Sequence, residues 1–338
     1  MQTTPPALLL DRPTVGSLLT LPACIEAVER AFAAHARGET FPSGLLHGDG
    51  VDGEFHVKAG GLKSPRAYFA CKVNGGFFQN RARHDLPNIQ GLILLYDATN
   101  GVPLAVMESA TVTLLRTGAA TAVAARYLAP RNASVATICG AGTQGAVQLR
   151  ALHRVLPLKK VYVWTRDSAH ARVFAENLSA ELQLDVTAAS ELRQATQASD
   201  VIVTCTPARK WLIGREHVRP GTFVAAVGAD SPDKQEIEPA LLAHSAVVCD
   251  LTAQCMDVGD LHHAISEKLM TAADVRAELG QVVAGLRSGR KSPGEVVVFD
   301  STGTALQDAA AAALVYEQAV ARQVGVRFPF WGKPAHAP

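Results

Sequence analysis

Between residues 21 and 37, in LPACIEAVERAFAAHAR, the apolar side chains of Ile25, Val28 and Phe32 recur at helical spacing. That spacing predicts an amphipathic helix. The period then shortens: GEFHVKAGGL and RAYFACKVNGGFF alternate in the manner of strands. QGLILLYDATNGVPLAVMES carries two apolar runs on either side of Asp97 to Gly101, which predicts a hairpin closed by a glycine-bearing turn. TVTLLRTGAATAVAARYLAP is alanine-rich and almost free of charge until Arg126, and Pro130 ends it. So apolar a helix is expected to lie buried between domains. The first part of the chain therefore reads as α+β, built round a largely antiparallel sheet.

From Ala133 the grammar changes. SVATIC, KVYVWT, LDVTA, VIVTC, TFVAAVG and AVVCD are short apolar runs, several of them separated by helical patterns such as SAHARVFAENLSAEL. Near-continuous apolar strands alternating with helices imply a parallel sheet covered on both faces. A last strand, EVVVFD, precedes the helix ALQDAAAAALVYEQAV, which is expected to return to the first domain. The boundaries are accordingly placed at 1–125 with 304–338 for a discontinuous first domain, and at 126–303 for the second. The tail FPFWGKPAHAP is expected to be surface-bound or disordered.

Composition narrows the classes. The 338 residues are 48% hydrophobic and 19% charged, with 32 basic and 31 acidic side chains and a net charge of +1. No basic tract interleaved with aromatics marks a nucleic-acid surface. No apolar run reaches membrane-spanning length, and the N-terminus has no secretory pattern. A cytoplasmic protein is expected. Its six cysteines, with no close CxxC pair, read as core thiols of a reducing compartment.

The chemistry begins at ASVATICGAGTQGAVQLRALHRV. Gly140, Gly142 and Gly145 spell GxGxxG between a predicted strand and a predicted helix, with Thr143 and Gln144 inside the motif. The first glycine permits the tight turn and the second lets backbone approach a pyrophosphate. The third allows the helix to pack close, and the helix N-terminus offers N–H groups to the anion. A dinucleotide is the expected ligand. The next strand ends in VYVWTRDSAHA, where an NAD site prefers a carboxylate for the ribose hydroxyls. Here Arg166, beside Thr165, can pair with a 2′-phosphate. NADPH is therefore expected ahead of NADH, with Asp167 as the ribose reader if the register shifts by one. Downstream, Thr206 in TCTPA and Asp230 in VAAVGADSPDKQEI follow apolar strands, where ligands of such sheets collect. Asp230 is the candidate acid or base.

Together these pieces resemble the ornithine cyclodeaminase and mu-crystallin family. The pattern runs through KVNGGFFQNRARHDLPNIQGLILLYDATNGVPLAVMESATVTLLRTGAATAVAARYLA, GAGTQG and AVGADSPDKQEI, and returns in EVVVFDSTGTALQDAAAAALVYEQA. The resemblance implies a Rossmann domain beside a substrate-binding and dimerisation domain, hence a homodimer. It also implies hydride transfer at a carbon bearing an amine or imine next to a carboxylate. By resemblance Lys72 is the substrate lysine and Arg116 stands at the junction of substrate and cofactor. Asp230 is the catalytic aspartate, and Ser301 to Thr304 approach the nicotinamide. Independently, a charge in a helix as apolar as that around Arg116 requires a partner. The chain departs from the cyclodeaminases in GEFHVKAG, where they tend to carry a glutamate. His56 and Lys58, two apart on a strand, share a face. One of them is expected to replace a family arginine that TFPSGLL lacks. His262 and His263 point apart on a helix, so no metal is assigned.

The leading reading is NAD(P)H-dependent reduction of a cyclic 2-imino acid to proline or pipecolate, with Lys72 and Asp230 catalytic. The alternatives are an ornithine cyclodeaminase that recycles bound NAD with release of ammonia, and a binding module for NADPH and a small ligand, as in mu-crystallin.

Overall fold

The computed structural model describes residues 5–63 and 65–330, so most of the tail discussed above lies outside the described residues. The chain divides into two compact units, Met1–Arg116 with Thr304–Pro338, and Thr117–Gly303.

The first unit opens with β1 (Ala7–Leu10), α1 (Arg12–Leu18) and α2 (Leu21–Ala36). Asp11 caps α1 by accepting from the Thr14 amide, and Thr20 caps α2. β2 (Thr40–Asp49), β3 (Glu54–Leu62), β4 (Tyr68–Gly76), the short α3 (Asn80–His84), β5 (Ile89–Asp97), β6 (Pro103–Glu108) and α4 (Ser109–Leu128) follow. The expected β5–β6 hairpin is present, and Gly101 supplies its left-handed residue at φ 76°. α4 runs unbroken through the 125/126 boundary set by the sequence reading. The units instead divide inside it, between Arg116 and Thr117, a division that a continuous helical pattern does not announce.

Sheet register sorts the side chains of this unit onto two faces. Lys58, Lys72, Ile93 and Met107 form one cross-strand row. Leu46, Val57, Val73 and Leu92 form a row on the other face. The first face is covered by α12 (Ala305–Arg322), whose alanines let it lie close on β3 and β4. An added Cβ at Gly60 would already stand 3.1 Å from Ala305 Cβ. Among the described residues the second face is open, with Leu46 65% and Leu92 53% exposed.

The second unit continues with β7 (Val135–Cys139), α5 (Thr143–Val155), β8 (Lys160–Trp164), α6 (Ser168–Leu182), β9 (Asp185–Ala188), α7 (Leu192–Gln197) and β10 (Val201–Thr204). After these come β11 (Arg209–Ile213), β12 (Phe223–Ala226), β13 (Gln235–Ile237), α8 (Pro239–Ala243), β14 (Ala246–Cys249), α9 (Thr252–Val258), α10 (Asp260–Ser266), β15 (Ala277–Glu278), α11 (Leu279–Val283) and β16 (Val297–Asp300). Eight parallel strands form one sheet in the order β15-β14-β16-β12-β10-β7-β8-β9. β10, β12, β14 and β16 are buried at every position, as continuous apolar runs require when helices cover both faces. The strand order reverses between β7 and β10, the arrangement of a Rossmann fold, and places the loops after these strands where ligands gather. The sequence reading missed β11, β13 and β15, all short, and β17 (Val326–Phe328), which joins β1 at the edge of the first sheet. Among the described residues all six cysteines are free thiols, and no helix is long and apolar enough to cross a membrane.

Candidate functional site

In the first unit Lys72 stands at the middle of β4, Arg116 near the middle of α4, and Asp308 in the first turns of α12. Lys72 Nζ lies 2.6 Å from Asp308 Oδ2, and Arg116 Nε lies 3.0 Å from Asp308 Oδ1. Arg116 also donates to Gln307 Oε1 at 3.0 Å. These are interior groups: the Lys72 side chain is 2% exposed and that of Asp308 1%. Burial pulls the Lys72 ammonium down to about 7, and Arg116 and Lys58 push the same way while Asp308 opposes. Burial alone would raise the Asp308 carboxyl, but Lys72 and Arg116 outweigh it and hold it below the ordinary range. Two basic side chains thus share one carboxylate, and burial opposes the charge on Lys72.

Lys58 is buried directly across from Lys72, so it adds to this positive field. His56, although it shares the face, turns to Glu54, whose Oε1 lies 3.2 Å from its Nε2. Lys58 stands with Lys72, while His56 stands with Glu54. Thr113 receives Lys72 Nζ at 3.4 Å and Asn74 Nδ2 at 3.3 Å. Asp308 escaped the sequence reading because a single acid in ALQDAAAAAL resembles a helix-start charge, and no local pattern points it at residues so far back along the chain.

In the second unit the three glycines do what the motif requires. Gly140 adopts φ 119°, and a Cβ on Gly145 would stand 2.0 Å from the Gly140 carbonyl oxygen. A Cβ on Gly142 would meet nothing within 4 Å, and α5 starts at Thr143 without a side-chain cap. An open approach to uncapped amides of Thr143, Gln144 and Gly145 fits a pyrophosphate. Asp167 has a structural duty through one oxygen, Oδ1. Its carboxylate caps α6, accepting from the Ala169 and His170 amides at 2.9 and 3.1 Å. Arg166 is exposed, follows Thr165 off the end of β8, and makes no ion pair among the described residues. His170, unnoticed in the sequence, puts Nε2 2.8 Å from the Ala141 carbonyl and so ties α6 to the glycine turn.

The remaining candidates sit on loops at the carboxyl ends of strands. Asp230 is ion-paired to Lys234 Nζ at 2.5 Å. Thr206 donates through both its amide and its hydroxyl to Glu236 Oε1 at 2.6 Å, and the Gly228 amide donates to Glu236 Oε2 at 2.8 Å. One buried carboxylate thereby fixes the loops after β10 and β12. Burial pushes the Glu236 carboxyl up, against the pull of these donors. Asp250 does the same after β16, accepting from Ser301, Thr302 and the Gly303 amide at 3.4, 3.0 and 2.7 Å. Glu236 and Asp250 position candidate contact residues, and neither was legible as such from spacing.

A family profile, ornithine cyclodeaminase/mu-crystallin, matches residues 7–323. Three solved structures are similar over nearly the full length. An archaeal alanine dehydrogenase dimer with bound NAD has a TM-score of 0.91 at 35% identity, with 96% of this chain and 99% of that chain covered. Thermococcus litoralis Δ1-pyrroline-2-carboxylate reductase, in complex with NADH and L-proline, has 0.88 at 32%, with 95% and 99% covered. The iminosuccinate reductase of Paracoccus denitrificans, in complex with NAD+, has 0.88 at 35%, with 96% and 99% covered.

Proposed function

Because this chain belongs to the ornithine cyclodeaminase/mu-crystallin family, we propose that it is a nicotinamide-dinucleotide-dependent reductase of 2-imino acids, with cyclic Δ1-pyrroline-2-carboxylate or Δ1-piperideine-2-carboxylate as leading substrates. The observation that carries this reading is the buried pair of basic side chains, Lys72 and Arg116, gathered on one carboxylate, Asp308. The three similar proteins act on different compounds, but each compound has a nitrogen-bearing carbon next to a carboxylate. Nicotinamide supplies the hydride for such a carbon. Lys72 and Arg116 hold the carboxylate by charge-assisted hydrogen bonds, and Lys58 strengthens their field. Asp230, ion-paired to Lys234, supplies or holds the proton of the imine, directly or through water. Asp250 and Glu236 keep the Ser301 and Thr206 loops in place. A panel of cyclic imino acids, and of pyruvate with ammonia or methylamine, assayed by NADPH and NADH oxidation, tests the reading. Ammonia release from ornithine without added reductant, and no imine turnover, would replace it with the cyclodeaminase.

The cofactor is proposed to be NADPH ahead of NADH, because Arg166 is available at the end of β8 while Asp167 is committed to its helix. Arg166→Ala is expected to raise the KM for NADPH far more than that for NADH. A lost charge-assisted phosphate contact corresponds to about 1.5–3 kcal/mol, or roughly 10- to 150-fold. Steady-state kinetics with both cofactors decide this, and a wild-type enzyme with strong NADH preference overturns it.

A homodimer is proposed through the open sheet face of the first unit. A row such as Leu46, Val57, Val73 and Leu92 is an unusual surface for a monomer, and one similar protein is a dimer. Sedimentation at micromolar concentration should give twice the 35.7 kDa chain mass. Leu92→Lys should shift the species toward monomer, and a wild-type monomer removes the proposal.

A further inference from the structure

The hairpin of β2 and β3 carries a cluster that the reductase chemistry does not use. His47 pairs directly with His56 across the two strands, and Glu54 lies two residues before His56, so all three side chains project from one face. Their rings and carboxylate converge. His47 Nε2 is 3.2 Å from Glu54 Oε2, and His56 Nε2 is 3.2 Å from Glu54 Oε1. The two imidazoles meet edge to face, with centroids 3.9 Å apart. One candidate ligand atom from each residue lies within 4.8 Å of the other two.

We propose that His47, Glu54 and His56 form a binding site for a borderline divalent transition metal of the zinc class, with a fourth position open to water. Zinc takes imidazole nitrogen and carboxylate oxygen at about 2.0–2.2 Å, so ligand atoms on a tetrahedron stand about 3.3–3.5 Å apart. The two nitrogen–oxygen separations here are within a few tenths of an ångström of that edge. Both histidines present the same nitrogen, Nε2, to the same carboxylate. A metal replacing the protons on that side moves each neutral imidazole to its Nδ1–H tautomer and needs no strand to shift. Antiparallel pairing has already fixed the three Cβ positions, so little ordering entropy remains to be lost on binding. Asp49, opposite Glu54 in the register, adds negative charge at the same end of the hairpin. His47 is exposed, which gives a cation a path in. Two imidazoles and one carboxylate with an open position select zinc, cobalt or nickel over magnesium and calcium, which demand oxygen ligands.

The test uses the full chain stripped with EDTA. Zinc is titrated in competition with a chromophoric chelator, and cobalt is added separately for its visible absorption. One zinc per chain is expected, with the intense visible bands of four-coordinate cobalt. His47→Gln, His56→Gln and Glu54→Gln should each weaken zinc by more than about 10-fold, the least that loss even of an outer-shell partner causes. His263→Gln, on a helix of the other unit, should leave binding unchanged. Thermal melting without metal confirms that each variant is folded, and His47→Gln, at the most exposed ligand, keeps the test valid if Glu54→Gln disturbs the hairpin. Absence of stoichiometric zinc, or wild-type affinity in His47→Gln, overturns the site.

Discussion

Lys72→Met should lower imino-acid kcat/KM by roughly two to three powers of ten or more, while affinity for the nicotinamide cofactor changes little. Removing one partner of a buried ion pair costs about 3–5 kcal/mol, and each 1.36 kcal/mol is about tenfold in rate. Methionine keeps the length and apolar stem of lysine, so packing on β4 is largely preserved. It removes the charge that a substrate carboxylate needs. Asp308 then keeps Arg116 as its near partner, and the positive excess that favours an anion is gone. The pH profile gives a second reading of the same group. Burial holds Lys72 at about 7, so its charge is present below that pH and lost above it. Wild-type kcat/KM is expected to fall as pH rises through about 7, and this limb should move upward in kcat, because bound carboxylate favours the ammonium form. The limb should vanish in Lys72→Met. A variant that retains near-wild-type kcat/KM, or that loses cofactor and substrate affinity alike, rules out the anchoring role.

Asp308→Asn should destabilise the protein by about 3–5 kcal/mol, because it leaves the buried charges of Lys72 and Arg116 facing each other without a counter-ion. For a unit of this size that corresponds to a Tm lower by roughly 6–20 °C. Asparagine matches the aspartate in shape, so the loss reports charge rather than volume. The double variant Asp308→Asn with Lys72→Met should recover part of the stability, since one of the two repelling cations is removed. Cofactor affinity should be retained by the folded variant, because the glycine turn belongs to the other unit. Calorimetry on the three proteins decides the matter, and an unchanged Tm in Asp308→Asn refutes the account. The sign with pH is also fixed. Asp308 is held below the ordinary carboxylate value of about 3.9. Its contribution is therefore present above that pH and is lost as pH falls through the lower, folded-state value.

The parts of this molecule that were legible in sequence are those whose causes are local. The β7–α5 turn announces itself because each of its glycines answers a steric demand within a few residues. The β5–β6 hairpin is marked by its own turn. Arg116 stood out because its charge interrupts an apolar helix, and Lys72 through the family resemblance. β2 was missed because Pro42, Ser43 and Gly44 break its alternation, and its register with β3 shifts across that stretch. Asp308, Glu236 and Asp250 were missed for a common reason. Each acts on residues brought near by tertiary pairing, and a lone acid carries no record of its partner. Asp167 has a local duty the sequence reading did not weigh, capping α6 through one carboxylate oxygen. His47 was passed over because its meaning depends on standing opposite His56, which only the register reveals.

The pairing of Arg116 with Asp308 spans 192 positions, and nearly all of the intervening chain is the second unit, Thr117–Gly303. During synthesis that whole unit leaves the ribosome before α12 does. At about 5–20 residues per second, the nascent first sheet waits on the order of ten seconds or longer for the helix that covers it. Throughout that interval Lys72 and Arg116 have no Asp308, and the face that α12 will bury is wet. Their charges then favour hydration over collapse, which keeps an unfinished sheet soluble while the nested domain completes itself. The same three side chains that make a demanding ion cluster in the mature protein thus set a temporal order. The outer unit is closed by its last helix, after the inner one has been synthesised.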